Sequence, residues 1–391
     1  MSSPKNNNIA SCPLISERKL IKQMLAYSLS SLGIMNFKGK DLILLGYQNK
    51  KFEIYSTNLD LLIESFSEQM QSIRDLAQLE HNTFAVISGR FIFIYLLYTT
   101  FDSSENLEKY HIALVQTIKY ENAEENYYGI RFHKAFIFDK DLYKENKNKK
   151  ACKSKLKLYD EYENEFNYNY HNELIISGVT GIFSLEKKKA KEEDDLNEMD
   201  VETFIKYRTV NKYIMKEQIS NIDNYDITQV NYKYISGTID NFLCIYSKEQ
   251  HQLTTKLEAP ISKNCDSIMY MINEDILCLA GMASITLISI EKFDIVCTYT
   301  LVDNLGIKIT EISSLPDCNV LVGVQKGYKN IEYLYQYKFI SEIKDKKKEY
   351  RLEEVSSKLI TENQESNITM RCLSDNKLVT ITGCERIQIW E

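Results

Sequence analysis

Along much of the chain, apolar side chains occupy alternate positions in short runs separated by clusters of Gly, Asn, Asp and Ser. A period of two, enriched in β-branched and aromatic residues, predicts strands joined by tight turns rather than helices. One unit recurs: an apolar run ending near Gly, a polar turn, then an alternating run often closed by an aromatic. The clearest copies are "DLILLGYQNKKFEIYS" from Asp41 and "YKYISGTIDNFLCIYS" from Tyr232. They align without a gap, matching Gly46 with Gly237, Asn49 with Asp240, Phe52 with Leu243, Ile54 with Ile245, and Tyr55-Ser56 with Tyr246-Ser247. Looser copies start at Thr83, Glu173, Ile276, Asn319 and Lys377, which brings the total to seven.

In most copies a further apolar segment precedes the unit, as from Ser72, Ser267, Ile309 and Ile368, and another follows it, as from Leu59, His251, Asp294 and Tyr350. Each unit therefore supplies four short antiparallel strands. Such thin sheets gain stability by stacking radially on one another, which also limits exposed edges. The last copy reaches Trp390-Glu391 after its third strand, so its fourth must come from elsewhere. The apolar segment at 23–30 is the one left over and is expected to complete it. An amphipathic helix is the alternative there, since Ile21, Met24, Leu25, Ser28 and Leu29 also suit a 3.6 period, and a short helix over Glu17–Met24 is compatible with either reading.

The copy "SGTIDNFLCIYS" from Ser236 and the terminal "RIQIWE" resemble the WD40 repeat, whose units end in Ser-Gly-x-x-Asp-x-x-apolar-x-apolar-Trp-Asp. The resemblance spans most of residues 20–391. It implies an all-β, seven-bladed WD40-like β-propeller with charged loop insertions, its last blade closed by an N-terminal strand. Blades are expected near 33–66, 72–118, 127–219 (with long insertions), 222–257, 267–301, 309–359, and 368–391 plus 23–30. They form one domain over 17–391 after a disordered tail at 1–16. The interval around Ile130–Tyr143 leaves room for a degenerate extra blade. In WD40 proteins the Asp of the turn between second and third strands accepts backbone N–H bonds, and Asp240 and Asn49 stand at that position as structural turn residues. The Gly-His opening of the family's repeats is absent, and Trp390 is the single Trp. The family's Asp, His, Ser/Thr and Trp network therefore has no complete copy, and blade stability is expected to rest more on apolar packing.

Composition supports a packed chain: of 391 residues 44% are hydrophobic, with 27 Tyr, 16 Phe and only 4 Pro. The net charge of -7 argues against general attraction to nucleic acid or anionic membrane. Nine cysteines, an odd number without Cys-x-x-Cys, read as reduced thiols of a cytoplasmic or nuclear protein. Residues 1–13 lack the apolar core of a secretory signal, and the longest apolar stretch, Phe91 to Tyr98, is far below the roughly 20 residues of a membrane-spanning helix. Charged insertions stand out at 144–157, with seven lysines, and in the acidic, aromatic run that follows from Tyr159. "EKKKAKEEDDLNEMD" from Glu186 and "KDKKKEY" from Lys344 are two more. All are expected to be exposed loops.

Enzymatic chemistry finds no foothold in the sequence. The five histidines (His81, His111, His133, His171, His251) show no metal-ligand spacing, and no phosphate-cradling, dinucleotide-binding or nucleophile-elbow motif occurs. No catalytic residue, cofactor or metal is assigned. The WD40 resemblance instead implies a non-catalytic scaffold or adaptor that binds proteins or peptides on the face carrying the turns between second and third strands. Tyr47, Gln48, Lys50, Arg90, Met282, Lys326, Tyr328 and Arg386 are the candidate rim residues, of types enriched at interfaces. The alternative is binding of nucleic acid or phosphoinositide through the lysine-rich insertion 144–157, against which stand its lack of Arg and of interleaved aromatics.

Overall fold

The computed structural model describes residues 13–67, 70–79, 82–102, 107–119, 131–133, 173–178, 181–187, 213–220, 227–229, 234–239, 242–247, 250, 252–259, 269–273, 275–281, 283–301, 307–315, 319–326, 331–344, 347–361, 368–383 and 385–391. The strands between 131 and 229 are described by backbone alone. Among the described residues all regular structure is β, arranged in seven four-stranded antiparallel sheets, an architecture consistent with a β-propeller.

Strand β1 (Leu20–Leu25) is followed by the first sheet, β2 (Leu29–Phe37), β3 (Lys40–Tyr47), β4 (Lys51–Ser56) and β5 (Leu61–Phe66). The second holds β6 (Ile73–Gln78), β7 (Thr83–Ser88), β8 (Phe91–Asp102) and β9 (Leu107–Lys119), and the third β10 (Arg131–His133), β11 (Glu173–Gly178), β12 (Gly181–Lys187) and β13 (Tyr213–Ser220). The fourth comprises β14 (Ile227–Gln229), β15 (Tyr234–Ile239), β16 (Phe242–Ser247) and β17 (Gln252–Glu258). The fifth comprises β18 (Met269–Met271), β19 (Ile276–Ala280), β20 (Ser284–Ser289) and β21 (Asp294–Thr300). The sixth has β22 (Ile307–Leu315), β23 (Asn319–Lys326), β24 (Ile331–Lys344) and β25 (Lys347–Thr361). The last joins β26 (Ile368–Cys372), β27 (Leu378–Thr382) and β28 (Arg386–Trp390) to β1, in the order β1-β28-β27-β26.

The strand that completes the last sheet is therefore Leu20–Leu25, pairing Leu25 with Arg386 and Leu20 with Trp390. The sequence places it at 23–30, too late by a few residues: Ser28 turns the chain at φ +64° and Leu29 already begins β2. The helix over Glu17–Met24 does not form, because β28 offers that segment a strand to pair with. Nor is the chain free as far as residue 16, since Ile15 is fully buried between the sixth and last sheets.

Because the first sheet is covered on both faces, alternating positions of β3 feed two cores. On β3, Leu42 and Leu44 pack with Phe52, Phe84 and Phe93 of the first and second sheets. Ile43, Leu45 and Tyr47 pack with Val379, Ile381, Ile387 and Ile389 of the last sheet. Gly46 explains the recurrent glycine of the repeat: a methyl there would lie 2.5 Å from Ile73 Cγ2 of the neighbouring β6. Between β2 and β3, Lys38 and Gly39 both take positive φ, the geometry of a two-residue hairpin turn.

Polar ties also run between sheets. Gln78 Nε2 donates to the Asn36 carbonyl and Gln78 Oε1 accepts from Asn36 N–H, both at 3.0 Å. Asp41 accepts from the Ser374 N–H at 2.5 Å, and Arg371 pairs with the fully buried Glu311.

Two hairpins outgrow their sheets. β8 and β9 pair as far as Asp102 and Leu107, and β24 and β25 as far as Lys344 and Lys347. The "KDKKKEY" stretch, expected to be a loop, is thus partly the end of a long ladder, because the alternation of "YLYQYKFISEIK" continues into it. The lysine run at 144–157, the acidic run behind it, most of the stretch from Glu186, and 134–143 lie outside the described residues.

Candidate functional site

Gln48, Lys50, Arg90, Lys326 and Arg386, expected from the sequence as rim residues, lie at or beside turns that join second to third strands. In the first sheet Gln48 and Lys50 are exposed, and Lys50, not Asn49, takes the left-handed conformation at φ +67°. Asn49 is exposed at the same turn. Arg90 is exposed in the second sheet, Lys326 half-buried in the sixth, and Arg386 half-buried in the last beside exposed Glu385. Met282, Tyr328 and Asp240 lie outside the described residues.

Tyr47 departs from the expectation of an exposed rim residue. It ends β3 on the face turned toward the last sheet and is 3% exposed. Its hydroxyl donates to Glu53 Oε2, to which Tyr55 also donates at 2.8 Å, while Lys51 Nζ lies 2.7 Å from Glu53 Oε1 and 3.1 Å from Glu64. Burial pushes the Glu53 carboxyl upward, but the bonds from Lys51, Tyr47 and Tyr55 outweigh it and hold it below its ordinary value. Burial, reinforced by the Glu53 carboxylate, raises both phenols well above the tyrosine range. Neither ionises near neutrality, so the cluster is a satisfied ionic network rather than an acid–base pair. Sequence reasoning missed Glu53 because alternation in "KFEIY" reads as one solvent face, whereas both faces of β4 are covered.

A common pattern emerges at this end of the sheets. Cations lie over aromatic rings beside the turns: Lys51 is 4.7 Å from the Tyr47 centroid, Arg90 5.6 Å from Phe91 and Lys256 3.9 Å from Phe242. Lys326 is 5.1 Å from both Tyr333 and Tyr335. A cation so placed keeps its charge at the surface while its stem covers apolar area. With Lys50 and Arg386, these give the turn-bearing ends of the sixth, last, first and second sheets, which pack successively, at least one cation each. That arrangement suits carboxylate-bearing chain.

The last sheet carries a run of side-chain hydrogen bonds that crosses three of its strands. Trp390 Nε1 donates to Thr380 Oγ1 at 3.0 Å, Thr380 Oγ1 to Gln388 Oε1 at 3.4 Å, and Gln388 Nε2 to Gln23 Oε1 at 3.2 Å. The chain of bonds thus ties β27 through β28 to β1.

Among the described residues, no three His, Cys, Asp or Glu side chains come together as a metal-binding group, and no helix is long and apolar enough to cross a membrane. His111 stacks on Tyr98 at 5.3 Å and bonds Thr100 at 2.8 Å. Cys244, Cys278, Cys297 and Cys372 are free thiols. No protein-family model matches the chain, and no curated protein matches it in sequence.

Proposed function

We propose that this protein is a divergent, seven-bladed WD40-like β-propeller, closed by β1, that serves as a non-catalytic platform for other proteins. Its receiving face is the one bearing the turns between second and third strands. The observation that carries the reading is the series of cations along that face, Arg90 and Lys326 resting on aromatic rings with Lys50 and Arg386 beside them. Positive charge above immobilised aromatic surface favours an acidic peptide or domain, and complementary fields of this sort direct association and choice of partner. The Trp390 to Thr380 bond and the pairing of β1 with β28 support the WD40-like closure. Free thiols on Cys244, Cys278, Cys297 and Cys372 support a reducing, cytoplasmic or nuclear setting.

The test is affinity purification from native cells with the unchanged chain and with a Lys50→Glu, Arg90→Glu, Lys326→Glu, Arg386→Glu variant of equal thermal stability. Loss of a protein set from the variant supports the platform. Retention of that set, with binding of RNA or phosphoinositide vesicles that disappears on deleting 144–157, favours the lysine-rich insertion as the binding element instead.

A further inference from the structure

Residues Ile15–Lys19 form a strap between the sixth and last sheets. Ile15 is buried with Leu315, Leu334, Ile368 and Trp390. Its N–H donates to Gln336 Oε1 at 2.8 Å and the Ser16 N–H donates to Ser356 Oγ at 2.9 Å. Lys358 Nζ donates to the Arg18 carbonyl at 2.5 Å, and Lys19 and Glu391 exchange backbone bonds of 2.8 and 3.0 Å.

Within this strap the Arg18 side chain is enclosed, with 2% of the residue exposed. Nη1 donates to the Asn376 carbonyl, whereas Nε and Nη2 have no hydrogen-bond partner among the described residues. Among the described residues no carboxylate forms an ion pair with it. Lys19 is exposed, Lys358 adds positive charge, and Lys377 and Asp375 pair with each other at 2.5 Å. Glu391, which follows β28, is exposed and exchanges backbone hydrogen bonds with Lys19, and Glu17 is exposed too. Residues 1–12 contain neither Asp nor Glu.

A guanidinium does not shed its proton in a protein, and a buried cation without counter-charge is strongly disfavoured. Its Nε–H and one Nη2–H point the same way and form a fork that fits one halide or the two oxygens of a carboxylate. We propose that the Arg18 Nε/Nη2 fork binds a small monovalent anion, chloride or a simple carboxylate, as a structural ligand that fastens the strap between the sixth and last sheets. The anion enters when the strap opens and is retained when it closes, so its binding reads out as stability of the folded chain.

The test is thermal unfolding of the full chain at fixed ionic strength while sodium gluconate is replaced by sodium chloride, or in a second series by sodium acetate. The unchanged protein is expected to gain stability with the logarithm of small-anion concentration. For a single site, an anion at a hundredfold excess over its Kd raises the folded-to-unfolded ratio about a hundredfold. Arg18→Met, which keeps an apolar stem and removes the fork, is expected to abolish that dependence. Whichever salt produces the shift identifies the source. Crystals of the full chain grown in sodium bromide give a second reading that needs no variant: an anomalous peak within bonding distance of Nε and Nη2 supports the site. Equal anion dependence in both proteins, or no dependence together with no bromide peak, overturns the proposal and leaves water on the fork.

Discussion

The Tyr47 hydroxyl donates to the Glu53 carboxylate across the turn between β3 and β4, so a tyrosine at the end of a strand and a glutamate near the start of the next become one buried unit. With Tyr55 and Lys51 completing it, the unit lies where the first sheet meets the last. Its pH dependence follows from the lowered Glu53 pKa. A carboxyl held lower in the folded than in the unfolded state stabilises the fold above its unfolded pKa, near 4.3, and that contribution fades as pH falls toward the folded value. Denaturant unfolding of the protein and of Glu53→Gln between pH 7 and pH 3 should show a stability gap that is constant near neutrality and narrows in acid. A gap independent of pH would mean that Glu53 acts only through packing.

Removing the carboxylate altogether is more damaging. Glu53→Ala leaves two buried phenols without their acceptor and Lys51 with Glu64 alone. A loss of about 3 kcal/mol is expected, as for other buried pairs broken on one side. A chemical denaturation midpoint at unchanged slope measures it, and a loss under about 1 kcal/mol would show that the phenols rebond locally.

Gly46 is held by the neighbouring β6, not by its own φ. A methyl there runs into Ser31 Oγ and Ile73 on the facing strands. Gly46→Ala is expected to lower stability by about 1–3 kcal/mol through overpacking. Pairing it with Ser31→Ala, which removes the hydroxyl oxygen nearest to the added methyl, should restore part of the loss. Additivity of the two changes would argue against the contact.

Trp390 has separable roles in packing and bonding. Trp390→Phe keeps a ring among Ile15, Leu334 and Leu378 but loses the bond to Thr380, at a cost of about 1–2 kcal/mol. Trp390→Ala should cost about 3–5 kcal/mol. Equal losses for both would assign the whole effect to the bond.

Burial raises the Cys278 thiol above its ordinary range, while Cys297 and Cys372 are only partly covered. Thiolate is the reactive form, so a mild thiol reagent at pH 8 should leave Cys278 untouched in the native protein and label it only after unfolding. Labelling of Cys278 in the native state at the rate of a free thiol would mean that the fifth sheet opens readily.

Strand positions were legible because each run alternates and ends in turn chemistry. The glycine at the end of the second strand could be seen as a repeat from Gly46 and Gly237, although its reason, the approach of Ile73, belongs to the neighbouring sheet. Three features were hidden for related reasons. A sheet buried on both faces erases the polar-out signal, which concealed Glu53 and Tyr47. The completing strand was misplaced because "LIKQML" and the residues after it are equally apolar, and only pairing with Arg386–Trp390 chooses between them. Arg18 stood out only as part of a possible short helix over Glu17–Met24, since its bonds to Asn376 and Lys358 arise more than 300 positions along the chain.

The pairing of Leu20–Leu25 with Arg386–Trp390 also sets an order of events during synthesis. Until the last strand has left the ribosome, Leu20, Ile21 and Leu25 form an orphan ribbon able to join any available strand edge. Contacts between segments so distant form late and slowly. The nascent polypeptide therefore keeps this sheet unfinished while everything between β1 and β28 is made, which makes it a natural client for chaperones that shelter apolar extended segments.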